Sequence, residues 1–148
     1  MNAVDYTGVV ETVAIRVDAD IVEARRRLRT LTQSLSYSSA ELAMVATAIS
    51  ELARNILTYA QTGEIVLSVI DDHRRVGVRV VARDEGPGIV DVDLALKDGY
   101  SSSQGLGLGL PGSRRLVDEF EIESEVGVGT TVRLTKWASG GAASWAAR

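Results

Sequence analysis

The sequence predicts an α+β fold: a single-layer mixed, mostly antiparallel sheet covered on one face by helices. Three observations carry this. Two stretches with helical periodicity lie one after the other between residues 18 and 60. Stretches rich in β-branched residues then come in pairs, each pair joined by a short polar or glycine-rich turn, as in hairpins. Helices and strands are grouped rather than strictly alternating, which argues against a parallel sheet of βαβ units.

The elements follow in order. VVETVAIRV (residues 9–17) alternates loosely and predicts a strand. DADIVEARRRLRTLTQSL (18–35) predicts a helix: Ile21, Ala24, Leu28, Leu31 and Leu35 recur at helical spacing, with Asp18 or Asp20 as N-cap. SYSSAE breaks it, and Ser38 or Ser39 can cap the next helix, AELAMVATAISELARNILTYA (40–60). Its apolar face runs through Leu42, Val45, Ala46, Ile49, Leu52, Ala53, Ile56 and Leu57, and Gly63 punctuates its end. EIVLSVID and VGVRVVARD form a hairpin about DHRR. EGPGI has turn chemistry, VDVDLALKDGY predicts a short helix, and a Ser/Gly/Gln loop leads to a further short helix over 111–118, with Pro111 in its first turn. FEIESEVGVGTTVRLTKW (120–137) predicts a last hairpin turning at 127–129. One domain over 1–137 and a flexible tail over 138–148 are expected, with Trp145 the tail's one hint of docking.

Composition excludes several classes. Net charge is −4, so no basic surface for nucleic acid or an anionic membrane is expected. There is no cysteine, which removes disulfides and thiolate metal sites. The single histidine, His73, falls in a turn and is expected to be solvated. The chain has no apolar run of about 18 residues, and its first residues, MNAVDYTGVVET, have no basic region before an apolar stretch, so neither a spanning helix nor a signal peptide is expected. A cytoplasmic protein is expected.

Three motifs could carry chemistry. Gly107, Gly109 and Gly112 satisfy G-x-G-x-x-G, but a polar loop precedes them where a dinucleotide fingerprint needs a strand. Glycines of this kind still let backbone N–H groups approach a phosphate, with a helix N-terminus behind them. In ISELARN, Glu51 and Asn55 stand four apart on one helical face. Such a pair is a solvated polar face unless a second layer covers it. With that cover, Asn55 could offer its carbonyl to Mg²⁺ and Glu51 could deprotonate a nucleophile. In RDEGPGI, Asp84 ends a strand and Gly86 and Gly88 follow. That is an ordinary Asp-led turn, or a carboxylate at the floor of a pocket that accepts from an exocyclic amine.

Taken together and in order, these motifs resemble the ATP-binding domain shared by histidine kinases, DNA gyrase, the Hsp90 chaperones and the anti-sigma-factor serine kinases, the GHKL superfamily with its Bergerat-type ATP-binding sandwich. ISELARNI, DEGPGI, GLGLGLPGSRRLVDEFEI and GVGTTV resemble most closely the RsbT-type serine/threonine kinases, switch kinases of the bacterial stressosome. The resemblance covers nearly the whole chain.

It implies ATP and Mg²⁺ as cofactors, Glu51 as general base and Asn55 as metal ligand. It implies that Asp84 recognises adenine, with Gly86 and Gly88 shaping the pocket and Thr130 helping to hold the base. Gly105, Gly107 and Gly109 would wrap the phosphates, and residues 97–104 would form an ATP lid. The related anti-sigma kinases use arginines from the first helix and the lid. The lid here, KDGYSSSQ, has none, and Arg25 is the candidate from the first helix, with Arg54 a further option. The substrate implied is a Ser or Thr of a STAS-domain antagonist, and the kinase, once released, would activate a PP2C-type phosphatase. The sequence leaves a homodimer open. The alternative is a nucleotide-gated docking or anti-sigma module with little catalysis, which the missing lid arginine favours.

Overall fold

A short polar sequence sets where the longest helix begins. The Ser38 hydroxyl accepts from Glu41 N at 3.0 Å, and the Glu41 carboxylate accepts from Ser38 N at 2.8 Å, a reciprocal cap that satisfies two otherwise orphaned donors. In a computed structural model of the chain, which describes residues 5–97 and 109–139, this cap opens α2 (Ser39–Asn55). Before it come β1 (Asp5–Ile15) and α1 (Ala19–Leu31). After it come one π-helical turn (Ile56–Ala60), β2 (Gly63–Asp71), β3 (Val76–Asp84), α3 (Val92–Ala95), α4 (Gly109–Arg115), β4 (Glu119–Glu125) and β5 (Gly129–Trp137). The order of helices and strands is the one expected, and every described strand pairing is antiparallel.

The sheet order is β1-β2-β3-β5-β4. Its register lines residues up in rows across the strands. Leu67, Val80, Leu134 and Phe120 form one row; Ile65, Ala82, Val132 and Ile122 form the next. These rows meet the apolar faces of α1 (Ile21, Ala24, Leu28, Leu31) and α2 (Val45, Ile49, Leu52, Ile56) in one core. Burying each such aliphatic side chain contributes about 1.5–3 kcal/mol. The row beyond is polar: Asp84 pairs with Thr130, and Thr130 with Ser124. The apolar core thus ends, at one end of the sheet, in a strip of hydrogen-bonding side chains. On the opposite face, β4 presents Glu119, Glu121 and Glu123 in alternation.

Three local details differ from the sequence reading. Helix α1 stops at Leu31, where the Thr32 hydroxyl and the Thr32 N–H both donate to Leu28 O, at 2.8 and 3.0 Å, yet Leu35 is still buried beyond it. The second helix leaves α geometry at Ile56, and Gln61, not Gly63, takes the left-handed conformation at its end (φ 72°). Gly63 is instead the first residue of β2. The last short helix covers Gly109–Arg115, so it begins two residues before Pro111.

Two arginines of α1 form ion pairs. Arg26 and Arg27 both bond Glu23, and the Arg26 guanidinium, then Arg27's, hold that carboxyl down at about 2. The β2–β3 turn hangs on Asp71 and Asp72, which accept the backbone N–H groups of His73, Arg74 and Arg75. Tyr37, between the two long helices, reaches the sheet: its hydroxyl accepts from Val78 N at 2.8 Å and donates to Lys136 O. Burial pushes the Tyr37 phenol up from its ordinary value of 10.0. Of the expected tail, Ala138 donates its N–H to Val76 O at 2.9 Å and Ser139 donates to Glu41; residues 140–148, Trp145 among them, lie outside the described residues. No helix among the described residues is long and apolar enough to cross a membrane.

Candidate active site

The π-helical turn, the end of β3 and the start of α4 enclose a cavity of about 270 Å³. Its floor is apolar: Ala82, Val132 and Ile122 come from one row of the sheet, with Leu52, Ile56 and Leu110 beside them. Its polar edge is Asn55, Asp84, Thr130 and the backbone of Gly88 and Gly109. Such a pocket takes a flat apolar body with a few hydrogen-bonding positions on its rim.

Each polar group is placed by its element. Asn55 closes α2, and the π turn that follows brings Tyr59 to the same cavity. π turns of this kind concentrate at functional sites. The Asn55 amide has no hydrogen-bond partner among the described residues. Asp84 closes β3; one carboxylate oxygen accepts from Gly86 N at 2.9 Å, and the other has no partner among the described residues. Gly86 therefore acts through its N–H beside the cavity rather than as part of its lining. Thr130 stands one strand across from Asp84, within 2.8 Å of the Ser124 hydroxyl.

Glu51 lies one helical turn before Asn55 and is only 7% exposed. The cover that its face needed is the start of α4: Gly109 N donates to one Glu51 oxygen at 3.4 Å. Arg54 donates to the other at 3.3 Å. The helix-face polar pair is thus a buried carboxylate with an anchored position, next to an amide that is free to bind. Arg25 is elsewhere. It is exposed on α1, and no α1 residue borders the cavity. Gly105, Gly107 and the expected lid after Lys97 lie outside the described residues.

The two glycine-containing loops interlock. Gly127 N donates to Pro87 O at 2.9 Å, and Ile89 N donates to the Ser124 hydroxyl at 2.7 Å. Side chains are barred at the contact. A Cβ on Gly88 (φ 79°) would lie 2.4 Å from Glu125 O, and one on Gly129 (φ 151°) would lie 2.1 Å from Asp84 O. Sequence reading missed Ser124 and Tyr37. Counting the hairpin outward from its 127–129 turn places Ser124 opposite Thr130, so that signal was present for Ser124; Tyr37 had none.

Mg²⁺ coordination can be tested against these residues. No group of three or more His, Cys, Asp or Glu side chains among the described residues could hold a metal. Mg²⁺ does not need one, since it keeps waters and phosphate oxygens and takes one or two protein oxygens. The unpartnered Asn55 carbonyl at the cavity edge fits that need.

Residues 16–136 match the family of the histidine kinase-like ATPase domain. The chain is 44% identical over 125 residues to the serine/threonine-protein kinase RsbT of Bacillus subtilis (strain 168), covering 84% of this chain and 94% of that protein. It is 27% identical over 139 residues to the anti-sigma F factor of Thermoanaerobacter sp. (strain X514), covering 90% and 96%. The crystal structure of the RsbU and RsbW domains of Rv1364c from Mycobacterium tuberculosis superposes with a TM-score of 0.58 at 20% identity, over 86% of this chain and 33% of that one, a likeness of fold. The chain therefore belongs to the histidine kinase-like ATPase domain family and, within it, to the RsbT-type serine/threonine kinases.

Proposed function

We propose that this kinase uses ATP and Mg²⁺ to phosphorylate a serine or threonine of a STAS-domain antagonist in the cytoplasm, and that, once released, it activates a PP2C-type phosphatase. The observation that carries the reading is the convergence of Asn55, Asp84, Gly88, Gly109 and Thr130 on one cavity, with Glu51 buried beside it. The base lies on the apolar floor with its amine towards Asp84 and Thr130. The phosphates follow the backbone from Gly105 through Gly109 to the start of α4. Mg²⁺, when bound through Asn55, supplies positive charge to the phosphate oxygens. Glu51 accepts the proton of the attacking hydroxyl as the new P–O bond forms and the bond from the γ-phosphorus to ADP breaks. Arg54, paired with Glu51, supplies a cation near the transfer, and Arg25 supplies a second only where partner binding or lid closure brings α1 and the phosphates together.

The test is transfer of label from γ-labelled ATP to a STAS-domain protein encoded beside the gene, in Mg²⁺, with Glu51→Ala in parallel. Label on a Ser or Thr, lost by about 10²–10⁴-fold in the variant, is expected for a general base. Equal labelling by both proteins would remove Glu51 from the chemistry. The second reading, a nucleotide-gated docking or anti-sigma module, is favoured by the arginine-free lid and by the absence of Arg25 from the cavity lining. It predicts nucleotide-dependent binding to the partner without label.

A further inference from the structure

Thr130 could read a base in either sense, because a hydroxyl both donates and accepts. Its neighbours remove that freedom. The Ser124 hydroxyl has one proton and two lone pairs. Ile89 N–H occupies one lone pair at 2.7 Å. Gly129 O, a pure acceptor at 3.2 Å, takes the proton. The remaining lone pair faces Thr130 Oγ1 at 2.8 Å. All three contacts are satisfied together only when Thr130 donates its proton to Ser124. The Thr130 hydroxyl then shows the cavity lone pairs alone. One strand across, Asp84 also shows the cavity an oxygen without a partner among the described residues.

We propose that Ser124 is a specificity-determining positioning residue: by holding the Thr130 proton it makes the polar row of the cavity acceptor-only, so that the site selects a purine carrying a 6-amino group over one carrying a 6-keto oxygen. The inference rests on the cavity being the base site of an adenine nucleotide. Ser124 itself does not line the cavity; it acts through Thr130. A keto purine would bring its oxygen against two acceptors, and a hydroxyl freed from Ser124 could turn and donate to it.

The test is calorimetric binding of ADP and inosine diphosphate to the full chain and to Ser124→Ala, Ser124→Thr, Thr130→Val and Ser124→Ala/Thr130→Val. In Ser124→Ala the preference for ADP over inosine diphosphate is expected to fall about tenfold, the worth of one hydrogen bond redirected. Ser124→Thr, which keeps the hydroxyl, restores it. In the Thr130→Val background, Ser124→Ala leaves the preference unchanged. A general loosening of the hairpin would weaken both nucleotides alike and leave the ratio intact, and that result overturns the inference. So does an equal fall in both backgrounds. If the unaltered chain binds no ADP, the nucleotide reading itself fails; if it prefers ADP and Ser124→Ala does too, only the role of Ser124 fails.

Discussion

Asp84→Asn changes one atom and reverses what the cavity offers. In the native site one carboxylate oxygen accepts from Gly86 N at 2.9 Å, and the other faces the cavity edge. An asparagine keeps the Gly86 bond only by placing its carbonyl there, so its NH₂ group points where the free oxygen was. The base amine then meets a donor instead of an acceptor. A hydrogen bond to a charged group contributes about 1.5–3 kcal/mol. Its loss lowers ADP affinity by about 10–150-fold before any donor–donor repulsion is counted. Inosine diphosphate carries an acceptor at the same position and should lose nothing, or gain. The fold should hold, because the Gly86 bond survives and no core atom moves; unfolding free energies from urea titration within about 0.5 kcal/mol of each other are expected, as for changes away from packing. Calorimetric titration of both nucleotides decides the matter. Equal loss of ADP and inosine diphosphate would mean that Asp84 supports the loop without reading the base, and unchanged ADP affinity would take Asp84 out of recognition altogether.

Other expectations are open to direct measurement. Tyr37→Phe removes the hydroxyl that bonds both Val78 N and Lys136 O, and should cost about 1–3 kcal/mol in urea denaturation, with the slope unchanged. Gly129→Ala should lower ADP affinity more than tenfold, because its Cβ would lie 2.1 Å from Asp84 O and the backbone there (φ 151°) disfavours any side chain. The helix cap gives a pH signature. Partial burial opposes ionisation of Glu41, but hydrogen bonds from Ser38 N and from the Ser139 and Ser38 hydroxyls outweigh it and hold the carboxyl below its ordinary 4.5. Its folded-state value is lowered, so its contribution is present above pH 4.5 and is lost as pH falls below that. The stability advantage of the native chain over Glu41→Gln, followed by denaturation from pH 7 to 3, should shrink across that range.

Where a segment is governed by its own periodicity and end signals, the sequence was enough. The order of elements, a serine cap at Ser38 or Ser39 ahead of the long helix and the turn at 127–129 all belong to that class, with Ser38 the serine that caps in the fold. So do Glu51 and Asn55, whose spacing survives in the fold because α2 stays α-helical to Asn55. What was hidden lies in details that periodicity and end signals do not encode. The early stop of α1 at Leu31 is not visible in the pattern, because Leu35 keeps the helical spacing in the sequence. The π turn at Ile56–Ala60 carries an unbroken apolar face and no glycine or proline. The acceptor polarity of Thr130 comes from a strand neighbour six residues earlier. Arg25 is legible as a cation but not as a neighbour, because charge alone does not say whether α1 borders the cavity.

The hairpin tip docked on the glycine-containing loop also limits how the molecule can be instrumented. Its Gly127 N–H and Ser124 hydroxyl are bonded to Pro87 and Ile89, so a peptide tag or fluorescent insertion there would wedge the two halves of the cavity edge apart. The turn at His73 is exposed and at the far end of its hairpin from Asp84, so it is the place to graft a reporter. A probe at that position would report partner docking or tumbling while leaving nucleotide affinity as it is in the unlabelled chain.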